Sequence, residues 1–305
     1  MVTPLLNPAQ TAALLPYPAL AAEIARLLGD ASVQVPPRLV QPLPGGGSLF
    51  VMPALDSRIA ITKLISFTPG NAGSGRPTIQ GDVLVFDIAS GERRLILDGP
   101  TVTARRTAAV SLLAAQQLAP NRRGPLLIVG AGVQGRAHLD AFAAGLGVRE
   151  VLIASRSEAS ARLLAEHAVA LGLRARVVAD PNTVLADCPL VVTCTPASTV
   201  VLHAAPRADA FIAAVGAFTP AMAELSPVLC RQLAAHGRIV LDTGDASHEA
   251  GDLLQAGLDL TRFATLQDVV RAAPAQRPGP VLFKSCGWAG WDLAAARLAL
   301  QPVGA

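Results

Sequence analysis

Two groups of residues in this chain have types and spacings that could do chemistry. The first is Gly130-Ala131-Gly132-Val133-Gln134-Gly135, which fits GxGxxG between a short apolar run and an amphipathic stretch. In that context the first glycine permits a tight turn and the second lets the backbone approach a pyrophosphate. The third lets a helix pack closely on a strand, leaving the helix N-terminus to bind the anion. A dinucleotide cofactor is expected. About 20 residues further on, an NAD enzyme usually carries Asp or Glu for the ribose 2′-hydroxyl. This chain reads Ser155-Arg156-Ser157 there. No carboxylate repels a 2′-phosphate, and a guanidinium and two hydroxyls can bind it, so NADPH is expected to be preferred with NADH possible.

The second group is cationic. Lys63 and Lys284 are the only lysines. With a strand period of two, Lys63 shares a face with Ile59, Ile61, Ile65 and Phe67. An unpaired ammonium is costly on such an apolar face, and a bound carboxylate or a depressed pKa would resolve the conflict. Arg38 follows Pro36-Pro37, which set an extended approach. Arg105 and Arg106 fall in the first turn of a helix, and helical periodicity does not say which points inward. The 5 histidines show no convergent spacing and the 4 cysteines form no CxxC pair, so neither a metal site nor a disulfide framework is expected.

The elements that must position these residues change rhythm along the chain. After a leading helix near 20–28, residues 33–98 alternate short β-rich runs (33–40, 49–52, 59–67, 83–88 and 94–97) with turn residues, Gly45-Gly46-Gly47 among them. That predicts a mostly antiparallel sheet, followed by a helix over 101–119 that Pro120 stops. From residue 126 strand and helix alternate. Strands are expected at 126–129, 151–154, 175–178, 190–193, 211–215 and 239–242, with helices such as 134–144 and 157–171 between them. This is the rhythm of a doubly wound parallel sheet. A last apolar helix, 288–300, follows and is expected to pack back on the first domain. The fold class is α/β, a Rossmann sheet plus an α+β domain.

Composition bounds the rest. In 305 residues, 51% apolar and 15% charged with a mean hydropathy of +0.45 exclude a disordered chain. The uncharged stretches 1–22 and 188–206 are broken by prolines, so no transmembrane helix or signal peptide is expected, and a soluble, cytoplasmic protein is. The net charge is +3 and the arginines are dispersed, which argues against nucleic acid as a partner.

At these residues the sequence resembles the ornithine cyclodeaminase/mu-crystallin family along almost its whole length. The matching stretches are Pro37-Arg38, MPAL at 52–55, Lys63, PGN at 69–71, DG at 98–99 and RTAA at 106–109. They continue with GAGVQG at 130–135, SRS at 155–157, EAGD at 249–252 and FKSCG at 283–287. The resemblance implies a substrate-binding and dimerisation domain of residues 1–112 with 286–305, and a Rossmann domain of 113–285 between. It implies a substrate carboxylate held by Arg38, Lys63 and Arg106, favouring Arg106 over Arg105. Thr78, Thr195, Val215 and Ser285 match positions that border the cofactor in relatives, beside Gly130, Gly132, Val133, Gln134, Gly135, Ser155, Arg156 and Ser157.

One position departs from the cyclodeaminases. Where they carry an aspartate for the substrate amine, this chain has Ala217, within GAFTPAMAEL at 216–225. Alanine supplies no carboxylate, and the segment resembles the ketimine reductases of the family. The implied function is NAD(P)H-dependent reduction of Δ1-pyrroline-2-carboxylate to proline and Δ1-piperideine-2-carboxylate to pipecolate, with Lys63 as a catalytic residue. The alternatives are reductive amination of a 2-oxo acid, as in alanine dehydrogenases of this family, and a mu-crystallin-like NADPH-binding protein with little turnover. A homodimer through the first domain is expected, because strands 33–98 carry more apolar residues than one small sheet needs.

Overall fold

The computed structural model describes residues 3–71, 74–196, 199–272 and 278–301. It divides into two compact units, Met1–Arg106 with Trp288–Ala305, and Thr107–Gly287.

The first unit opens with α1 (Pro8–Ala13) and α2 (Tyr17–Gly29). Asn7 caps α1 by accepting the Gln10 amide at 2.9 Å, while the Gln10 side chain accepts the Asn7 amide at 3.0 Å. An antiparallel sheet follows in the order β1 (Leu39–Leu43), β2 (Gly47–Leu55), β3 (Ile59–Phe67), β4 (Ile79–Asp87) and β5 (Arg93–Asp98). The strand expected at 33–40 begins only at Leu39. Pro36 and Pro37 have no amide to donate to a ladder, and Gln34 makes just an isolated bridge with Leu55. Gly45 and Gly46, at φ 88° and 86°, turn the β1–β2 hairpin, a conformation that favours glycine.

One face of this sheet is core. Met52, Ala54, Ile59, Ile61, Lys63, Ile65, Val83, Val85, Leu95 and Leu97 are all buried there. On the opposite face Leu39 pairs with Val51 and Val51 with Leu64, so three apolar side chains stand in a row across β1, β2 and β3. Leu39 is 58% and Leu64 41% exposed.

Helix α3 (Gly99–Leu118) carries the chain into the second unit. Its elements are β6 (Leu126–Val129), α4 (Val133–Leu146), β7 (Glu150–Ala154), α5 (Glu158–Ala170), β8 (Arg174–Val177), β9 (Leu190–Thr193) and β10 (Phe211–Ala214). They continue with α6 (Pro227–His236), β11 (Arg238–Leu241), α7 (Gly251–Gln255), β12 (Ala264–Thr265), α8 (Leu266–Ala272) and β13 (Val281–Lys284). The sheet order is β12-β11-β13-β10-β9-β6-β7-β8, with parallel pairing throughout. The central strands β6, β9, β10 and β13 are buried at every residue, as parallel strands covered on both faces must be. From β6 the chain builds outward to β7 and β8, then returns to place β9 on the other side. The topological switch point, where α/β sheets bind ligands outside the strand ends, therefore lies between β6 and β9.

The strand–helix rhythm runs further than the expected strands, which end at 239–242. The sheet also contains β13, a central strand between β10 and β11, and the short edge strand β12. The chain then forms α9 (Ala289–Ala299), which belongs to the first unit and packs on α2, β2 and β3. Arg297 of α9 donates to Asp56 at 2.5 Å and to Asp30 at 2.6 Å and lies 3.9 Å from Glu23, so its buried charge is met by three carboxylates. None of the described helices is long and apolar enough to cross a membrane.

Candidate functional site

In the second unit the GxGxxG stretch lies at the switch point. Gly130, at φ 114°, ends β6, and a Cβ there would come within 2.8 Å of the Cys194 carbonyl oxygen beyond β9. A Cβ on Gly135 would collide with the Gly130 carbonyl oxygen, so this glycine lets α4 sit against the loop that precedes it. A Cβ on Gly132 would meet nothing within 4 Å. Gly132 also caps α4 without a side chain, so no side-chain cap takes the backbone donors of its first turn. Val133, the first residue of α4, is 72% exposed beside it. Two close-packed glycines and one facing open space fit a dinucleotide pyrophosphate at this helix N-terminus.

Gln134 is tied into α4 by His138, whose Nδ1 lies 2.8 Å from the Gln134 carbonyl. A carbonyl only accepts, so Nδ1 carries the proton and Nε2 accepts from the Ser111 hydroxyl at 2.9 Å. Burial lowers the His138 pKa to about 4. Ser155, Arg156 and Ser157 follow β7. The Ser157 side chain caps α5 by accepting the Ser160 amide at 3.2 Å, and the Ser157 amide donates to Ser155 Oγ at 3.3 Å. Arg156 between them is exposed.

A buried carboxylate that the sequence reading passed over organises the loops beyond β9 and β10. Glu224 accepts the Thr195 amide at 2.7 Å and hydroxyl at 2.9 Å with Oε1, and the Thr193 hydroxyl at 3.0 Å and Gly216 amide at 2.7 Å with Oε2. Burial raises its pKa, an effect that Lys284 and these donors oppose. The second lysine proves to be internal. Lys284 pairs at 2.6 Å with Asp252, which also accepts the Glu224 and Leu225 amides. Val215 is buried at the end of β10, and Ala217 is wholly buried with it. Ser285 donates to Asp242 at 2.8 Å, and Asp242 accepts the Cys286 and Gly287 amides at 2.9 Å each, which fixes the loop after β13.

In the first unit the cationic residues gather around a carboxylate. Lys63 is 1% exposed and its Nζ lies 2.8 Å from Oδ2 of Asp292, itself 0% exposed. Arg106 is 6% exposed, with Nε 3.3 Å from Asp292 Oδ1. Arg105 turns elsewhere, donating to the Leu15 carbonyl at 2.7 Å with its guanidinium 4.0 Å from the centre of the Tyr17 ring. Arg38 is half-buried just before β1 and lies close enough to Lys63 to act on it electrostatically. Burial drives the Lys63 pKa down, Asp292 raises it, and Arg106 and Arg38 lower it again, to about 8. Lys63 and Arg106 share the single Asp292 carboxylate, and Arg38 adds its charge to the field at Lys63, a cationic setting suited to a second carboxylate. Thr78 enters β4 half-buried, its carbonyl accepting the Thr68 amide at 2.8 Å.

Asp292 was missed because it is 229 positions from Lys63 in the sequence. The available signal was an acidic residue in a helix of small and apolar residues whose one other charge is Arg297, the counterpart of a lysine on an apolar strand face.

The sequence profile of the ornithine cyclodeaminase/mu-crystallin family matches residues 17–302. The chain belongs to this family. Among family members, it is 40% identical to Delta(1)-pyrroline-2-carboxylate reductase 2 of Burkholderia ambifaria, over 99% of this chain and 96% of the relative. It is 34% identical to the ketimine reductase mu-crystallin of Mus musculus, over 88% and 85% of the two chains. The fold matches that of Thermococcus litoralis Delta(1)-pyrroline-2-carboxylate reductase, solved with NADH and L-proline, at a TM-score of 0.84 and 24% identity, covering 96% of this chain and 92% of that one.

Proposed function

We propose that this member of the family is an NAD(P)H-dependent reductase of cyclic ketimine carboxylates, forming L-proline from Δ1-pyrroline-2-carboxylate and L-pipecolate from Δ1-piperideine-2-carboxylate. The observation that carries the reading is the buried Lys63–Arg106 pair, in a chain that aligns from end to end with reductases of such imines. The first unit is the substrate and dimerisation half, and the second is the dinucleotide half. Arg38, Lys63 and Arg106 hold the substrate carboxylate through charge-assisted bonds.

Gly130, Gly132, Val133, Gln134 and Gly135 cradle the pyrophosphate, Ser155, Arg156 and Ser157 receive the adenosine ribose, and Thr78, Thr195, Val215 and Ser285 border the rest of the cofactor. When bound, the nicotinamide supplies a hydride to the carbon of the protonated imine. The imine nitrogen keeps the C=N electron pair and becomes the ring amine. Lys63, charged below about pH 8, holds the carboxylate and can also deliver a proton to the ring nitrogen. Because the substrate already contains C=N, no carboxylate is needed at Ala217 to handle a leaving amine. Ser155-Arg156-Ser157, in place of an Asp or Glu at the end of β7, supports preference for NADPH over NADH.

We take the protein to be a cytoplasmic homodimer acting in proline formation. The row of Leu39, Val51 and Leu64 on the outer face of the five-stranded sheet supports dimerisation there. The deciding experiment is a substrate panel with both cofactors: each cyclic imine, pyruvate with ammonia, and ornithine. Oxidation of NADPH with the cyclic imines at the highest kcat/KM is expected. No oxidation with either imine, in protein shown to be folded, would reject the reading.

A further inference from the structure

We propose that Asp292 is a positioning residue that fixes the Lys63 ammonium and the Arg106 guanidinium as a preset pair for the substrate carboxylate. The inference rests on the ketimine-reductase reading for the identity of that carboxylate, but its geometry stands apart from it. Asp292 is wholly buried in α9 and reaches both cations, one with each carboxylate oxygen, at 2.8 Å and 3.3 Å. A lysine side chain has four rotatable bonds and no planar fork to orient it. On an apolar strand face only a fixed anion gives its ammonium one place to sit. Asp292 thus orders Lys63 before substrate arrives and offsets part of the positive charge that Lys63 and Arg106 bring together.

Asp292 also sets a charge state. The groups acting on Lys63 are Asp292 from α9, Arg106 from α3 and Arg38 from the segment before β1. Asp292 alone among them favours the ammonium, while burial and both arginines oppose it. Without that carboxylate Lys63 loses its proton at lower pH, and the carboxylate anchor becomes a neutral amine in the working range.

The test uses the two-lysine composition. Protein labelled with [13Cε]lysine gives two signals, from Lys63 and Lys284, assigned with the K63M variant. In wild type the Lys63 signal should titrate near pH 8. In D292N the midpoint should fall by a unit or more, which takes the charged fraction at pH 8 from about one-half to about one-tenth. The alkaline limb of kcat/KM should move with it, and activity should recover towards pH 6. A folded D292N whose Lys63 midpoint stays near 8, or whose activity falls equally at every pH, overturns the proposal.

Should D292N not fold, D292E keeps the charge but shifts the carboxylate by one methylene. A raised KM with a Lys63 midpoint near the wild-type value supports positioning, and wild-type KM and kcat overturn it. If the wild type reduces no cyclic imine, the functional reading fails while the NMR midpoint still decides the role of Asp292.

Discussion

Lys63 has a charge that pH can change within the assay range. Its pKa lies below the ordinary lysine value, so the ammonium is present below about pH 8 and lost above it. For the wild-type enzyme kcat/KM should be flat below pH 7 and decline above 8, approaching tenfold per unit, in a pH–rate profile with the cyclic imine. Lys63→Met should lower kcat/KM by roughly 10- to 150-fold, the worth of one charge-assisted contact. Its Tm should mark a folded protein, because Arg106 still faces Asp292 at 3.3 Å. Near-normal kcat/KM in that variant would assign the lysine a purely structural role. The strand period alone put Lys63 on the core face. Its partner was illegible, since no local pattern ties a strand in the first third of the chain to a helix near its end.

At the scale of elements, the three glycines that open α4 should respond differently to one added methyl group. Gly132→Ala meets no protein atom within 4 Å, so Tm should hold while dinucleotide affinity, measured by calorimetry, falls at least tenfold. Gly135→Ala collides with the Gly130 carbonyl, so it should lower Tm as well as binding. Equal Tm losses in the two variants would contradict this division of labour. The motif named the glycines, but only their surroundings separate packing from access. Within α4, His138 is held neutral with a pKa of about 4. The unfolded chain takes up that proton near pH 6.5, so stability should fall as pH drops from 6.5 to 4, by roughly 3 kcal/mol at most. Urea titrations at pH 7 and 4.5 should show a smaller difference in His138→Gln. Strand β13 escaped the sequence reading because four residues ending in a lysine look like a surface run. Only the Asp252 partner makes Lys284 an interior residue.

For the molecule as a whole, the apolar excess of the first unit was visible in composition, but the face it occupies follows from register. Leu39, Val51 and Leu64 align across three strands on the side away from the core. In the proposed homodimer, Val51→Glu or Leu64→Arg should give a monomer by light scattering at micromolar concentration, with a Tm drop and no loss of the isolated fold. An unchanged dimer mass in both variants would place the interface elsewhere. The parallel sheet was legible from its strand–helix alternation. The return of the chain to its first unit was legible only as an apolar helix left over.

That return has a consequence for the order in which the protein is made. Helix α9 supplies Asp292 to Lys63 and Arg297 to Asp30 and Asp56, yet a ribosome reaches it only after translating the whole second unit. The nascent first unit therefore waits through the synthesis of Thr107–Gly287 with a buried-face lysine, the internal Asp56 and the half-buried Asp30 lacking these counter-charges. The second unit can consolidate in that interval. A nascent chain arrested before residue 288 should consequently resist protease across 107–287 and be cut readily within 39–98.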